Sequence, residues 1–265
     1  MALSLELAGL NEVPEDSTIY VSGKNIREVL FCIDAGVSEL LLAKQLGYDA
    51  VIAHHPIGGT AAINFFQVFK RHINQMVDAG IPKEEAENVV KKKLEELEVE
   101  AHTRNYAHVV DASKLLKMPF MNIHTPLDEV GRRIMSEQIN AGIRKDSTVQ
   151  EVVSVLKELP EFKKAVTEIK IRLGKPRNLA GKVVVSHGAG TNGGYEIAKT
   201  YFEYGIGTVA YIHISIGDLV KLKNNSVGNL IVTGHIASDS VGINPFIHKL
   251  EENNITVTTI GVISS

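Results

Sequence analysis

The run Ala50-Val51-Ile52-Ala53 is apolar and stops abruptly on His54-His55-Pro56, with Gly58-Gly59 close behind. Val51 and Ile52 favour strand geometry, and a short apolar run closed by turn residues reads as a buried strand. Pro56 disfavours a helical backbone at His55, so both imidazoles leave the strand on extended chain. Just upstream, Glu28 to Ile33 reads as another strand and Ser38 to Leu46 as a helix closed by Gly47. Strand, helix and strand form a βαβ unit, which constrains the chain to an α/β fold with parallel pairing. His54 and His55 then lie at a strand's carboxyl end, where open α/β sheets place ligands. Taken alone, two histidines at such a rim serve equally well as hydrogen-bond donors to carbonyls or water.

The alternation continues to the end of the chain. From Asn64 to about Lys117 the pattern is helical: a stripe of Phe65, Phe66, Val68, Phe69 and Ile73, then a charged helix start at Pro82-Lys83-Glu84-Glu85. The later charges, Lys91 to Glu98, suit i,i+4 pairs on a solvated face. Phe120 to His124 reads as a strand and Leu127 to Ala141 as a helix. Strands are predicted at Glu168 to Leu173, Lys182 to His187, Thr208 to His213, Leu230 to Thr233 and Ile255 to Ile260. Helices are predicted at Val149 to Leu156, Tyr195 to Tyr204 and Ser238 to Asn253. The fold class is therefore α/β, with two closely packed α/β lobes forming one compact unit. Residues 1–146 form the first lobe, with a helical insertion at about 64–117, and 147–265 the second. The seam is placed at Asp146-Ser147, an N-cap signal before Val149. No short tandem repeat stands out.

Bulk properties narrow the function classes. A net charge of -3 with a pI near 6.4 gives no electrostatic case for a nucleic-acid partner. The single cysteine, Cys32, lies in an apolar strand and has no internal partner. No stretch approaches the roughly 20 apolar residues of a membrane span, and Met1 to Glu6 lack a secretory signal's basic start. The expectation is a cytoplasmic protein with no membrane partner.

Two further segments carry chemistry. In Met121-Asn122-Ile123-His124-Thr125-Pro126-Leu127-Asp128, and again in Leu230-Ile231-Val232-Thr233-Gly234-His235-Ile236-Ala237-Ser238-Asp239, an apolar run leads to histidine with aspartate four residues later. On a helical turn i and i+4 share a face, so imidazole and carboxylate can reach one ion. Helix capping by Thr125 and by Ser238 explains each segment equally well in isolation. It does not explain several strands that all end in histidine. His54, His55, His124, Asp128, His235 and Asp239 suit zinc, manganese, iron, cobalt or nickel, and exceed what one open site uses. Two divalent ions about 3.5 to 4 Å apart would use them naturally.

At these residues the sequence resembles the Nif-three-like family, dinuclear metal proteins that include type-2 homologues of GTP cyclohydrolase I. The family's His-His-Pro motif matches His54 to Pro56, its His-Thr-x-Leu-Asp motif matches His124 to Asp128, and its Gly-His-x-x-Ser-Glu motif matches Gly234 to Asp239. The last departs by carrying aspartate at 239. The resemblance implies a ring-like homohexamer and two metals held by His54, His55, Asp128, His235 and Asp239, with the two aspartates bridging. It places His124 beside the ligands, as the candidate catalytic group for proton transfer or substrate orientation. A metal-dependent hydrolase acting on a nucleotide-like or phosphoester substrate is the leading expectation. The alternative is a non-catalytic metal-binding or regulatory protein, such as a metal chaperone or a transcription-linked partner. The Gly-rich stretch Ser186 to Gly194 reads either as a tight turn or as a phosphate cradle, and His187 and His213 as residues of the cavity.

Overall fold

A computed structural model describes residues 1–265. Nine strands form two sheets: β1 (Thr18–Val21), β2 (Glu28–Cys32), β3 (Ala50–Ala53), β4 (Phe120–Asn122), β5 (Lys170–Leu173), β6 (Lys182–Val185), β7 (Ile206–Tyr211), β8 (Asn229–Val232) and β9 (Thr256–Ile260). The first sheet is ordered β1-β4-β3-β2-β9 and the second β5-β8-β7-β6. β3 has the predicted bounds, and its four residues are buried, as a strand covered on both faces requires.

The two sheets repeat one plan. An antiparallel, bulged edge strand (β1 or β5) pairs with the strand that leads into a histidine-bearing helix (β4 or β8), and parallel strands follow. The equivalence is residue by residue at the site. Ile123 N–H donates to Ala53 O just before His124, and Gly234 N–H donates to Ile212 O just before His235. His213 of the second sheet therefore stands where His54 stands in the first. The repeat is visible in sequence as His124-x-x-x-Asp128-x-Val130-Gly131 against His235-x-x-x-Asp239-x-Val241-Gly242.

The lobes exchange chain. β9 pairs with β2, so the last strand of the predicted second lobe completes the first sheet. The helix His235–Glu252 carries the chain back, packing Ile243, Phe246 and Ile247 with Leu127, Phe31 and Ile52 in one buried cluster. Burial of each such side chain contributes about 1.5–3 kcal/mol. That helix crosses Thr125–Gly142 at glycine on both sides: a Cβ on Gly242 would lie 2.0 Å from Leu127 O and 2.9 Å from Gly131 N. Backbone packs on backbone there, one turn beyond Asp128 and Asp239.

The helical insertion consists of a 3-10 segment, Phe65–Lys70, and helices Arg71–Asp78, Lys83–Ala101 and His108–Leu116. It packs Phe69, Met76, Ala86 and Val90 into the core of the second sheet. Both predicted caps are corrected. Thr125 is the first helical residue rather than the cap, because its hydroxyl donates to Asp16. Ser238 lies inside its helix, which begins at His235, and its hydroxyl donates back to Gly234 O. The edge strand β1, the helix Ala2–Ala8 and the helix Ile216–Asn225 have no counterpart in the sequence reading.

Candidate metal centre

The carboxyl ends of β3, β4 and β8 meet between the sheets and bring all six predicted residues together. Asp128 and Asp239 are the two centres of the cluster. His54 Nε2 lies 3.1 Å from Asp128 Oδ1, and His124 Nε2 lies 3.6 Å from Asp128 Oδ2. Around Asp239 Oδ2, His55 Nε2 and His235 Nε2 each stand at 3.4 Å and His54 Nε2 at 3.8 Å. His54 thus faces both carboxylates. Ligands bound at about 2.1 Å to a tetrahedral ion sit roughly 3.4 Å from one another, so these separations are those of atoms sharing a cation. Three overlapping groups have ligand atoms within 4.8 Å of one another: His54, His55 and His124; His55, His235 and Asp239; His54, Asp128 and Asp239.

Neighbouring groups fix which nitrogen is free. His54 Nδ1–H donates to Ile123 O at 3.0 Å. His55 Nδ1–H donates to Asp34 at 2.7 Å, and His124 Nδ1–H to the buried Asp16 at 2.7 Å. In each case the neutral imidazole has its lone pair on Nε2, pointing into the cluster, the usual support for a metal-bound imidazole. Buried polar atoms without partners concentrate at the same place: His54 Nε2, His55 Nε2, His187 Nε2, Asp128 Oδ1 and both carboxylate oxygens of Asp239. Each such orphan costs about 1–3 kcal/mol. Lone pairs converging from imidazole and carboxylate are what a divalent transition metal satisfies, so these residues fit a metal centre.

The electrostatics agree. Burial opposes ionisation of Asp128, but the charges of His124 and His187 hold its carboxyl well below the ordinary carboxylate range. Burial likewise works against Asp239, and His55 and His54 hold it low. His124 is pushed up to about 9: burial lowers it, but Asp128 and Asp16 more than compensate. Without a cation, a proton supplies part of the positive charge that the two aspartates demand. A metal would displace it. His235, 44% exposed, marks the rim, and burial lowers its basicity.

His187, foreseen only as a cavity residue, belongs to the cluster: it is buried, with Nε2 3.5 Å from Asp128 Oδ1. His213 sits with its ring 4.7 Å from that of His235. Asp16 and Asp34 were not foreseen, and Phe65 was read only as part of the apolar stripe. The Phe65 ring lies 5.5 Å from that of His124, and the Arg104 guanidinium lies 5.4 Å over the same ring. An isolated acid in a loop gives no periodic signal, and a phenylalanine in an apolar stripe reads as core, so only the fold could bring these three to the site. The Gly-rich stretch is a docking turn: its carbonyls at His187, Gly188 and Thr191 accept from Gln75, Arg71 and His72 of the insertion at 2.6, 2.8 and 2.9 Å.

Two α/β sheets closing on a cluster of histidines and aspartates define a class of metal-site proteins, and the comparisons give its family. A NIF3 superfamily protein from Sphaerobacter thermophilus shares 44% identity with this chain, covering 99% of it and 96% of its own length, with a TM-score of 0.97. The chain belongs to the NIF3 superfamily. More distant structures share the fold: reduced HcgD from Methanocaldococcus jannaschii (12% identity, 96% of this chain and 93% of that one, TM-score 0.58) and a Bacillus cereus protein related to NIF3 (11%, 100% and 96%, 0.57). No protein-family model and no curated protein matches the chain.

Proposed function

We propose that this is a dinuclear metal-dependent hydrolase acting on a nucleotide-like or phosphoester substrate, with His54, His55, Asp128, His235 and Asp239 as the ligands. The observation that carries the proposal is the convergence of unpartnered, buried imidazole and carboxylate atoms on one point between the sheets. Two divalent ions held there would supply Lewis acidity and an activated water near neutral pH. The protein's own residues do the rest. Asp128 and Asp239, each ringed by imidazoles, would hold the ions with their carboxylates. Asp34 and Ile123 O orient His55 and His54 through Nδ1. His124, held by Asp16, presents Nε2 to the cluster, where it can carry a proton or take a ligand position. Asp239 offers a carboxylate on a shorter arm than the family's glutamate.

Elemental analysis of the protein purified without chelator is expected to give close to two equivalents of metal, falling to one or none in Asp128→Ala and His235→Ala. Unchanged metal content in both variants would sink the ligand assignment. Zinc-, manganese- or iron-loaded protein is then offered nucleotides, cyclic nucleotides and phosphodiesters. Metal bound tightly without turnover across that panel would favour the metal-chaperone or regulatory reading over the hydrolase. We also propose a homohexamer, which light scattering on the eluting protein checks.

A further inference from the structure

We infer that His213, Arg172 and Lys170 form a phosphate-binding pocket beside the metal centre, distinct from the ligand set. The inference rests on the reading that the substrate carries a phosphate. His235 forms one wall of a cavity of about 460 Å³ whose other walls include His213, Lys170, Arg172 and Val232. β5 runs antiparallel to β8 and pairs Lys170 with Val232, so the start of β5 lies against the carboxyl end of β8, at the rim of the site. Lys170 and Arg172 both line the cavity, Arg172 at the bulge that shifts the register of β5 between Ile171 and Leu173.

The role of His213 follows from its proton. Asn192 Oδ1 accepts from the backbone N–H of Gly194 at 3.0 Å, which orients the amide so that its Nδ2 faces His213 Nδ1 at 2.9 Å. An amide nitrogen only donates, so His213 Nδ1 is the acceptor and Nε2 carries the hydrogen. His54, at the equivalent place in the first sheet, has the opposite tautomer. The repeat has thus produced one histidine suited to a metal and one suited to donating a hydrogen bond. His213 Nε2 has no protein partner and is not among the buried orphans, so it is open to the cavity.

The two cations complete the pocket. Lys170 pairs with Glu168, which lines the same cavity; both side chains are exposed, where such a contact is worth little and an incoming anion can displace it. Arg172 has no ion-pair partner. A free guanidinium, an ammonium and a neutral N–H donor around one opening match the oxygens of a phosphate better than a single carboxylate. The metals would engage the reacting end of such a substrate while this pocket holds a phosphate.

The test uses metal-free protein, so that no ion can bind the probe. Inorganic phosphate and AMP are titrated separately and followed by the side-chain NMR signals of His213 and Arg172 and by calorimetry. Saturable shifts at both residues are expected, with affinity weakened roughly tenfold or more in Arg172→Gln and in His213→Asn. Arg172 is exposed, so its variant keeps the fold even if that of His213 does not. Tighter binding of AMP assigns the pocket to a phosphorylated substrate, and binding of inorganic phosphate alone to a released product. Binding of neither, or binding unchanged in Arg172→Gln, overturns the pocket. The hydrolase reading is judged apart, by turnover of metal-loaded protein.

Discussion

At the residue scale, the site is defined by which nitrogen of each histidine carries the proton. Three imidazoles are held with Nε2 free by Ile123 O, Asp34 and Asp16. Removing Asp16 therefore acts on metal binding through His124. Asp16→Asn is expected to weaken metal affinity by about 10- to 100-fold, read by competition with a chromogenic chelator. A restoring change is also available: Asp239→Glu returns the family's longer carboxylate to the last motif, and elemental analysis should find it still metal-bound, whereas Asp239→Asn loses metal. A third residue governs the pH response. His72 is fully buried, donates from Nε2 to Thr191 O, and burial lowers its pKa to about 4. Unfolded, it titrates near 6.5, so between pH 6.5 and 4 the unfolded chain binds the extra proton. The neutral His72 is thus fully tolerated above the unfolded pKa. Stability is lost as pH falls through this window, by up to about 3 kcal/mol from this group. Urea unfolding of metal-free protein at pH 7 and pH 5 should show the loss, and His72→Gln should show a smaller one.

At the scale of elements, the two aspartates meet because two helices cross without side chains between them. A Cβ on Gly242 would overlap Leu127 O and Gly131 N. Gly242→Ala must push the helices apart, and with them Asp128 and Asp239. The expected cost is about 1–3 kcal/mol in unfolding free energy, accompanied by lower metal stoichiometry. Gly217→Ala provides the control, since Gly217 is exposed and its nearest neighbour is Ser215 Oγ at 3.9 Å. That substitution should stabilise by about 0.5–1 kcal/mol and leave metal content unchanged. The insertion is the other decisive element. By inserting Phe69 and Met76 under the second sheet and bonding the Gly-rich turn through Arg71, His72 and Gln75, it holds His187 and Gly188 against the site.

At the scale of the whole molecule, metal and fold are linked. The unpartnered atoms of the centre tax the metal-free state, and two lobes exchange β9 around it. Anything bound there joins both lobes. A metal that binds the native state and not the unfolded one raises the thermal midpoint with its concentration, and a chelator should lower it. At a hundredfold excess over the dissociation constant the gain is about 2.7 kcal/mol per site. Differential scanning fluorimetry with and without chelator measures it. No helix is long and apolar enough to cross a membrane.

What the sequence determined by itself was local. The bounds of β3 follow from an unbroken apolar run closed by turn residues, and the helix Val149–Leu156 and the helical run from 64 to 117 from periodicity, because burial on one face leaves a period in the chain. The histidine–aspartate cluster was legible too, since His54-His55, His124 to Asp128 and His235 to Asp239 each stand on a strand end or a helical turn, where short spacing implies nearness. Tertiary structure decided everything that depends on contacts between distant segments. The pairing of β9 with β2, the glycine crossing, and the entry of His187 beside Asp128 join residues about a hundred or more positions apart or lying in different sheets. The same holds for the tautomers. Nothing in the neighbourhood of His213 or His54 along the chain distinguishes a hydrogen-bond donor from a metal ligand. Asn192 and Ile123, brought up by folding, place the proton.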